Sequence, residues 1–205
     1  MRLYKTNITP EEIKTVFFMG NSLLYRNGDT LGGRRISTKI YETLIATKKF
    51  NVQDYSVGGM TTTTMISDFP TTLEPYLKSG DIVIFWEWIN DLGSGGQDPA
   101  GAFANGQTYS ALCREKGAIV IVCTSTPNSV AGTETENSAV NDLILADNNT
   151  SWDYTVNMRI TNFETVADCT NLTYYLADEI HHTTAGSDLL TAPIITALSP
   201  LLPNL

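Results

Sequence analysis

Two histidines stand side by side in this chain, His181-His182, and there is no third. Any chemistry that needs an imidazole must therefore use this pair. Asp178 lies three residues ahead of His181. At that offset a carboxylate can reach the ring Nδ1–H across one turn or loop. There it fixes the tautomer and stabilises the imidazolium that forms when the ring takes a proton. A hydroxyl for the ring to activate is available in "VFFMGNSLL", where the apolar run Val16 to Met19 stops at Gly20-Asn21-Ser22. Ester hydrolysis needs such a set: a hydroxyl that attacks, a base that takes its proton, and donors that meet the oxygen gaining charge. Gly59 in "DYSVGGMTT" and Asn90 in "FWEWINDL" are candidate donors.

Each of these residues also has an ordinary structural reading. Gly, Asn and Ser favour turns. An Asn after a strand is commonly a turn or cap residue, and Gly59 suits a tight turn. The histidines suit a solvated loop ahead of a helix, with His182 a solvated neighbour or a rim residue. Other chemistries stay open on residue types alone. Glu87 with Asp91 or Asp178 would make a glycosidase carboxylate pair. Cys123 or Cys169 would serve as a nucleophile beside His181. "DLGSGG" has the glycine content of a phosphate loop but lacks the Gly-Lys-Ser/Thr ending. Adjacent histidines rarely chelate one metal and no acidic cluster accompanies them, so no metal site is expected.

The elements that must position these residues alternate between strand and helix. Val16 to Met19 reads as a strand. Arg34 to Thr47 reads as a helix with Ile36, Ile40, Leu44 and Ile45 on one face. "NVQDYSVGG" is a short strand ending in glycines. "MTTTTMISDFPTTLEPYL" is expected to be helical in two pieces, interrupted by Pro70. The near-continuous apolar runs "DIVIFWEW" and "AIVIVCTSTP" suit central parallel strands buried on both faces. Helices are expected over "DPAGAFANGQTYSALCREKG", "ENSAVNDLILADN" and "TTAGSDLLTAPIITAL", the last with a kink at Pro193, and a weak strand near Tyr154 to Val156. This order predicts an α/β fold, a parallel sheet with helices on both faces. In such sheets the carboxyl ends of the strands gather the site. Gly20-Asn21-Ser22, Gly58-Gly59 and Asn90-Asp91 should then lie along one edge.

Composition narrows the partners. The 205 residues suit one domain, 1–205, with 1–14 an N-terminal extension that has no apolar leader core. Hydrophobic residues make up 42% and charged residues 17%, a globular balance. The net charge is -9, and Arg34-Arg35 is a notable basic pair. Nucleic acid is not an expected partner, because binding it needs clustered cations. No apolar run reaches the length of a membrane span, so no membrane partner is expected. Cytoplasmic residence, or secretion or virion association by another route, both fit. Three cysteines without short spacing read as buried unpaired thiols rather than a disulfide framework.

In order and spacing, the set resembles the SGNH (GDSL-type) hydrolases. Their Gly-Asp-Ser block is here Gly20-Asn21-Ser22-Leu23, and Gly59 takes the place of the second block's glycine. Gly-x-Asn-Asp is here Trp88-Ile89-Asn90-Asp91, and Asp-x-x-His is Asp178-Glu179-Ile180-His181, with Gly186 following. The matches run from residue 16 to about 190. The resemblance implies a three-layer α/β/α sandwich of flavodoxin-like type, without metal or cofactor. It implies Ser22 as nucleophile, His181 as general base and Asp178 as its orienting carboxylate. The Ser22 and Gly59 backbone N–H groups and the Asn90 side chain would form the oxyanion hole. There are two departures. Asn21 replaces the family's Asp, and Trp88 replaces a Gly. Asn21 and Trp88 are expected to contribute to substrate binding, with Trp88 at the pocket rim or in the core. A rim Trp88 favours a small acyl ester, O-acetyl groups on a carbohydrate above all. A lipid esterase or thioesterase of the same fold, or a non-catalytic carbohydrate-binding or virion module, are the alternatives.

Overall fold

The computed structural model describes residues 13–25, 36–130 and 132–205. The Arg34-Arg35 pair, the expected start of the first long helix and nearly all of the 1–14 extension lie outside them. Strands β1 (Lys14–Gly20), β2 (Phe50–Asp54), β3 (Ile82–Trp86), β4 (Ile119–Cys123) and β5 (Tyr154–Val156) pair in parallel in the order β2-β1-β3-β4-β5. This is the flavodoxin-like order, which reverses direction between β1 and β3. Every residue of β3 is buried, and so is β4 apart from Ile119. Their Val and Ile runs therefore face helices on both sides of the sheet.

The helices are α1 (Ser22–Tyr25), α2 (Ile36–Leu44), α3 (Thr62–Thr72), α4 (Ile89–Leu92), α5 (Pro99–Glu115), α6 (Thr133–Ala146) and α7 (Thr184–Leu198). Helix α2 packs on α7, while α3 packs on α5 and α5 on α6. These two groups form the outer layers of a three-layer α/β/α sandwich. Helix α5 starts as its sequence predicts, with Asp98 as N-cap accepting the Gly101 N–H and Pro99 in the first turn. Among the described residues no helix is long and apolar enough to cross a membrane. Cys113, Cys123 and Cys169 are buried and unpaired.

Three expectations about the elements change. Helix α3 runs unbroken through Pro70. Proline removes only one ladder bond there, close to the helix end, and the Leu73 N–H still reaches Phe69 O at 3.2 Å. Strand β3 stops at Trp86, so Glu87 and Trp88 leave the sheet. Asn90 and Asp91 lie on the short helix α4 rather than at a bare strand end.

Gly20 sits opposite Trp86 in the β1–β3 register. A Cβ on Gly20 would come within 2.1 Å of the Trp86 carbonyl oxygen. The strand that leads to Ser22 must therefore end in glycine for the two backbones to approach this closely. The Gly20 carbonyl in turn accepts the Val57 N–H at 2.9 Å, which ties the loop after β2 to the end of β1.

Candidate active site

Ser22 is the first residue of α1, at the carboxyl end of β1. Asn21, fully buried, directs this turn. Its Oδ1 accepts the Leu23 N–H at 2.8 Å, and its carbonyl accepts the N–H groups of Leu24 and Tyr25. The helix is thereby started by the residue before the hydroxyl, and Ser22 itself stays half-exposed.

Backbone and side-chain bonds together hold the opposing loop. Leu176 N–H donates to His181 O at 2.8 Å, and Thr183 N–H donates to Tyr174 O at 2.9 Å. Glu179 turns the chain at φ +58°. Asp178 Oδ1 accepts the N–H groups of Ile180 and His181 at 3.1 and 3.0 Å, which leaves Oδ2 for the ring. Asp178 Oδ2 lies 2.8 Å from His181 Nδ1, and His181 Nε2 lies 2.8 Å from Ser22 Oγ. Burial alone would push the Asp178 carboxyl up. The backbone N–H and ring of His181 and the N–H of Ile180 outweigh it and hold the carboxyl below its usual range. Of the Asp178 side chain 46% is exposed, against 23% for His181, so water screens part of their attraction.

The Gly58-Gly59 loop closes on the same edge. A Cβ built on Gly58 would lie 4.0 Å from the Ser22 Cβ, and Gly59 turns at φ +78°. This loop is pinned to α4 twice. Asn90 Nδ2 donates to Met60 O at 2.9 Å, and Asp91 Oδ1 accepts the Thr62 N–H at 3.0 Å. Burial raises the Asp91 carboxyl to about 6, against the bonds from Thr62. A cavity of about 610 Å3 opens beside Gly58 and Gly59, lined by Tyr55, Val57, Met60 and Met65 among others.

Of the two residues expected to touch substrate, Asn21 is buried and holds the Ser22 turn instead, and Trp88 is placed in the core; His182 is buried as well. Trp88 is fully buried, with its ring tilted against Phe85 at 5.0 Å between centroids and its Nε1–H donating to Cys123 O at 2.8 Å. It packs over Gly106, where a Cβ would meet the indole at 2.5 Å. Trp88 is thus a core residue and not a rim residue, because the chain turns inward after β3. His182 is 1% exposed rather than solvated. It stacks on Trp86, meets Tyr175 and Phe163 edge-on, and lies 3.2 Å from Thr126 Oγ1. Burial and the neighbouring His181 drive its pKa down to about 3. Alternation explains the contrast, since consecutive residues of this bridging segment point to opposite sides. Glu87, which the sequence offered only as half of a glycosidase carboxylate pair, is buried just ahead of α4. Its isolated charge among tryptophans was the available signal.

No family model and no curated protein sequence matches the chain. Solved structures do match in shape. One is a member of the lipolytic protein G-D-S-L family from Veillonella parvula, at 17% identity and TM-score 0.75, over 91% of this chain and 98% of that one. Another is an acetyl xylan esterase, at 16% identity and TM-score 0.66, over 90% and 99%. A third is a Bacillus subtilis protein at 17% identity and TM-score 0.68, over 92% of this chain. The chain spans only 57% of that longer protein. Parallel strand order, layer arrangement and these likenesses agree: the chain has the three-layer α/β/α fold of the SGNH (GDSL-type) hydrolases.

Proposed function

We propose that this protein is a serine ester hydrolase acting on small acyl esters, O-acetyl groups on a carbohydrate first among them. The observation that carries the reading is the serial contact of Ser22 Oγ, His181 and Asp178, each link 2.8 Å long. In the proposed cycle Ser22 Oγ attacks the ester carbonyl while His181 Nε2 takes its proton. Asp178 holds Nδ1–H and steadies the imidazolium. The oxyanion meets the Ser22 and Gly59 N–H groups and the second N–H of the Asn90 amide, whose first is given to Met60 O. His181 then protonates the departing alcohol. Water repeats the attack on the acyl-enzyme and releases the acid.

The preference for acetylated carbohydrate rests on the likeness to an acetyl xylan esterase. The burial of Trp88 withdraws another argument, that a rim indole narrows the acyl pocket. The mostly apolar cavity beside Gly58-Gly59 has room for a longer acyl chain. Chain length is therefore the second thing to measure. Labelling with a fluorophosphonate probe should modify Ser22, and Ser22→Ala should abolish both labelling and nearly all turnover of p-nitrophenyl acetate. Labelling elsewhere, or undiminished turnover, would refute the nucleophile. Faster turnover of long-chain than of acetyl esters would redirect the substrate to lipids or thioesters.

A further inference from the structure

Glu87 is a carboxyl group that the proposed cycle does not use, yet it lies directly beneath it. It is 0% exposed, in the two-residue link between β3 and α4. Its Oε1 accepts the backbone N–H of Asn90 at 3.2 Å. The side-chain amide of Asn21 faces the same carboxyl. Asn21 Oδ1 is already committed to the Leu23 N–H, so the amide presents its Nδ2 toward Glu87. That Nδ2 and Glu87 Oε2 are both buried, and neither has a hydrogen-bond partner among the described residues. Burying two polar atoms costs stability unless each finds the other or serves a purpose. Resting on the esterase reading, we propose that Glu87 is a positioning residue. Its carboxyl bridges the turn that carries Ser22 to the turn that carries the Asn90 amide, and so sets the oxyanion donor against the nucleophile.

Charge decides the form in which it does this. Burial, reinforced by the nearby Asp91 carboxyl, pushes Glu87 well above the usual carboxylate range, against the bonds from Asn21 and Asn90. Held toward its protonated form, the carboxyl repels the negative oxygen that develops above it less than an ordinary carboxylate would. An ionised one would oppose that oxygen at short range in a dry site. The departure from the family pattern at position 21 fits the same logic. A carboxylate at Asn21 would face Glu87 with a like charge, whereas an amide offers it a donor.

The test uses Glu87→Gln and Glu87→Leu on the full chain, with p-nitrophenyl acetate kinetics and thermal melts. Gln keeps one acceptor for the Asn90 N–H but turns a donating NH2 on the Asn21 amide, so kcat should fall by less than about tenfold. Leu keeps the bulk and removes the bridge. It should lower kcat by about 10–100-fold with KM within about threefold, the signature of a displaced transition-state donor. A folded Leu variant with wild-type kcat and only a lower melting temperature overturns the proposal. So does a Gln variant as slow as Leu. If the Leu variant does not fold, Glu87→Asp decides, because it withdraws the carboxyl by one methylene. A kcat loss of at least about tenfold supports the bridge, and a smaller loss overturns it. Ser22→Ala run alongside separates the two levels. If it keeps full turnover, the esterase reading fails. If it is dead while folded Glu87 variants match wild type, the bridge alone fails.

Discussion

His181 Nε2 lies 2.8 Å from Ser22 Oγ although 159 positions separate the two residues in the chain. No local segment brings them together. Ser22 is placed by the end of β1, and His181 by a loop that leaves β5 and enters α7. The contact is a product of the whole sheet. His182 locks that loop to Trp86 at the end of β3, which neighbours β1. A rigid frame at both ends gives the pair its geometry before substrate arrives.

Asp178→Asn should separate orientation from mere presence. The Asn carbonyl can keep the N–H groups of Ile180 and His181, so the loop should hold its shape. Its amide then offers a donor to Nδ1, which moves the ring proton to Nε2, facing Ser22. That tautomer cannot accept the hydroxyl proton. We expect kcat to fall about 10³–10⁴-fold with little change in KM. Steady-state kinetics on p-nitrophenyl acetate check this. A loss below tenfold would mean that Asp178, with 46% of its side chain in water, leaves the tautomer to solvent.

On the proposed cycle Asn90→Ala removes one oxyanion donor, and it also frees the Met60 carbonyl that the amide now holds. The expected cost is about 3–4 kcal/mol in the barrier, or 10²–10³-fold in kcat. Asn90→Asp is the sharper comparison, because it keeps the size and reverses the charge presented to the oxyanion. It should be at least as slow as Ala. An Asp variant near wild type would remove Asn90 from the transition state.

The strand-helix alternation, the burial of the β3 and β4 runs and the position of Ser22 after a strand were legible because each follows from local patterning. The Asp178–His181 bond was legible for the same reason, since both partners sit in one turn. What was not legible is depth. Trp88 and Asn90 are two residues apart, and one is in the core while the other is only half-buried. The chain leaves the sheet after Trp86 and turns through α4, so strand alternation no longer applies. His181 and His182 differ in the same way: one faces Ser22 and the other faces three aromatic rings. Pro70 misled because its cost depends on which ladder bond it removes, not on its presence in a helix.

Trp88→Phe turns the corrected placement into a measurement. Phenylalanine keeps part of the packing on Phe85 but loses the bond from Nε1 to Cys123 O and leaves space over Gly106. Stability should fall by about 1–3 kcal/mol. KM for p-nitrophenyl acetate and for acetylated sugars should stay within about twofold, because the indole touches no substrate. Urea unfolding and kinetics on the same preparation decide. A large rise in KM for sugar esters with unchanged stability would return Trp88 to the rim.

Acid should destabilise the protein partly through His182. Its pKa is about 3 in the fold, below the 6.5 of a free imidazole, so its contribution is complete above 6.5 and fades as pH falls toward 3. At pH 4 the loss is about 3 kcal/mol. Asp91 works the other way. Raised to about 6, its carboxyl favours the fold below its unfolded value and loses that contribution as pH rises through 6. The wild-type pH profile therefore sums opposing terms and cannot be assigned by itself. His182→Phe isolates one of them. Phenylalanine can occupy the space between Trp86, Tyr175 and Phe163 and cannot titrate, and the lost contact with Thr126 is a pH-independent offset. The stability difference between wild type and His182→Phe should shift by about 3 kcal/mol in favour of the variant between pH 7.5 and pH 4. Urea unfolding at the two pH values measures it. A difference that stays constant would show that His182 carries its proton inside the fold, or that the loop bearing it opens before the ring titrates.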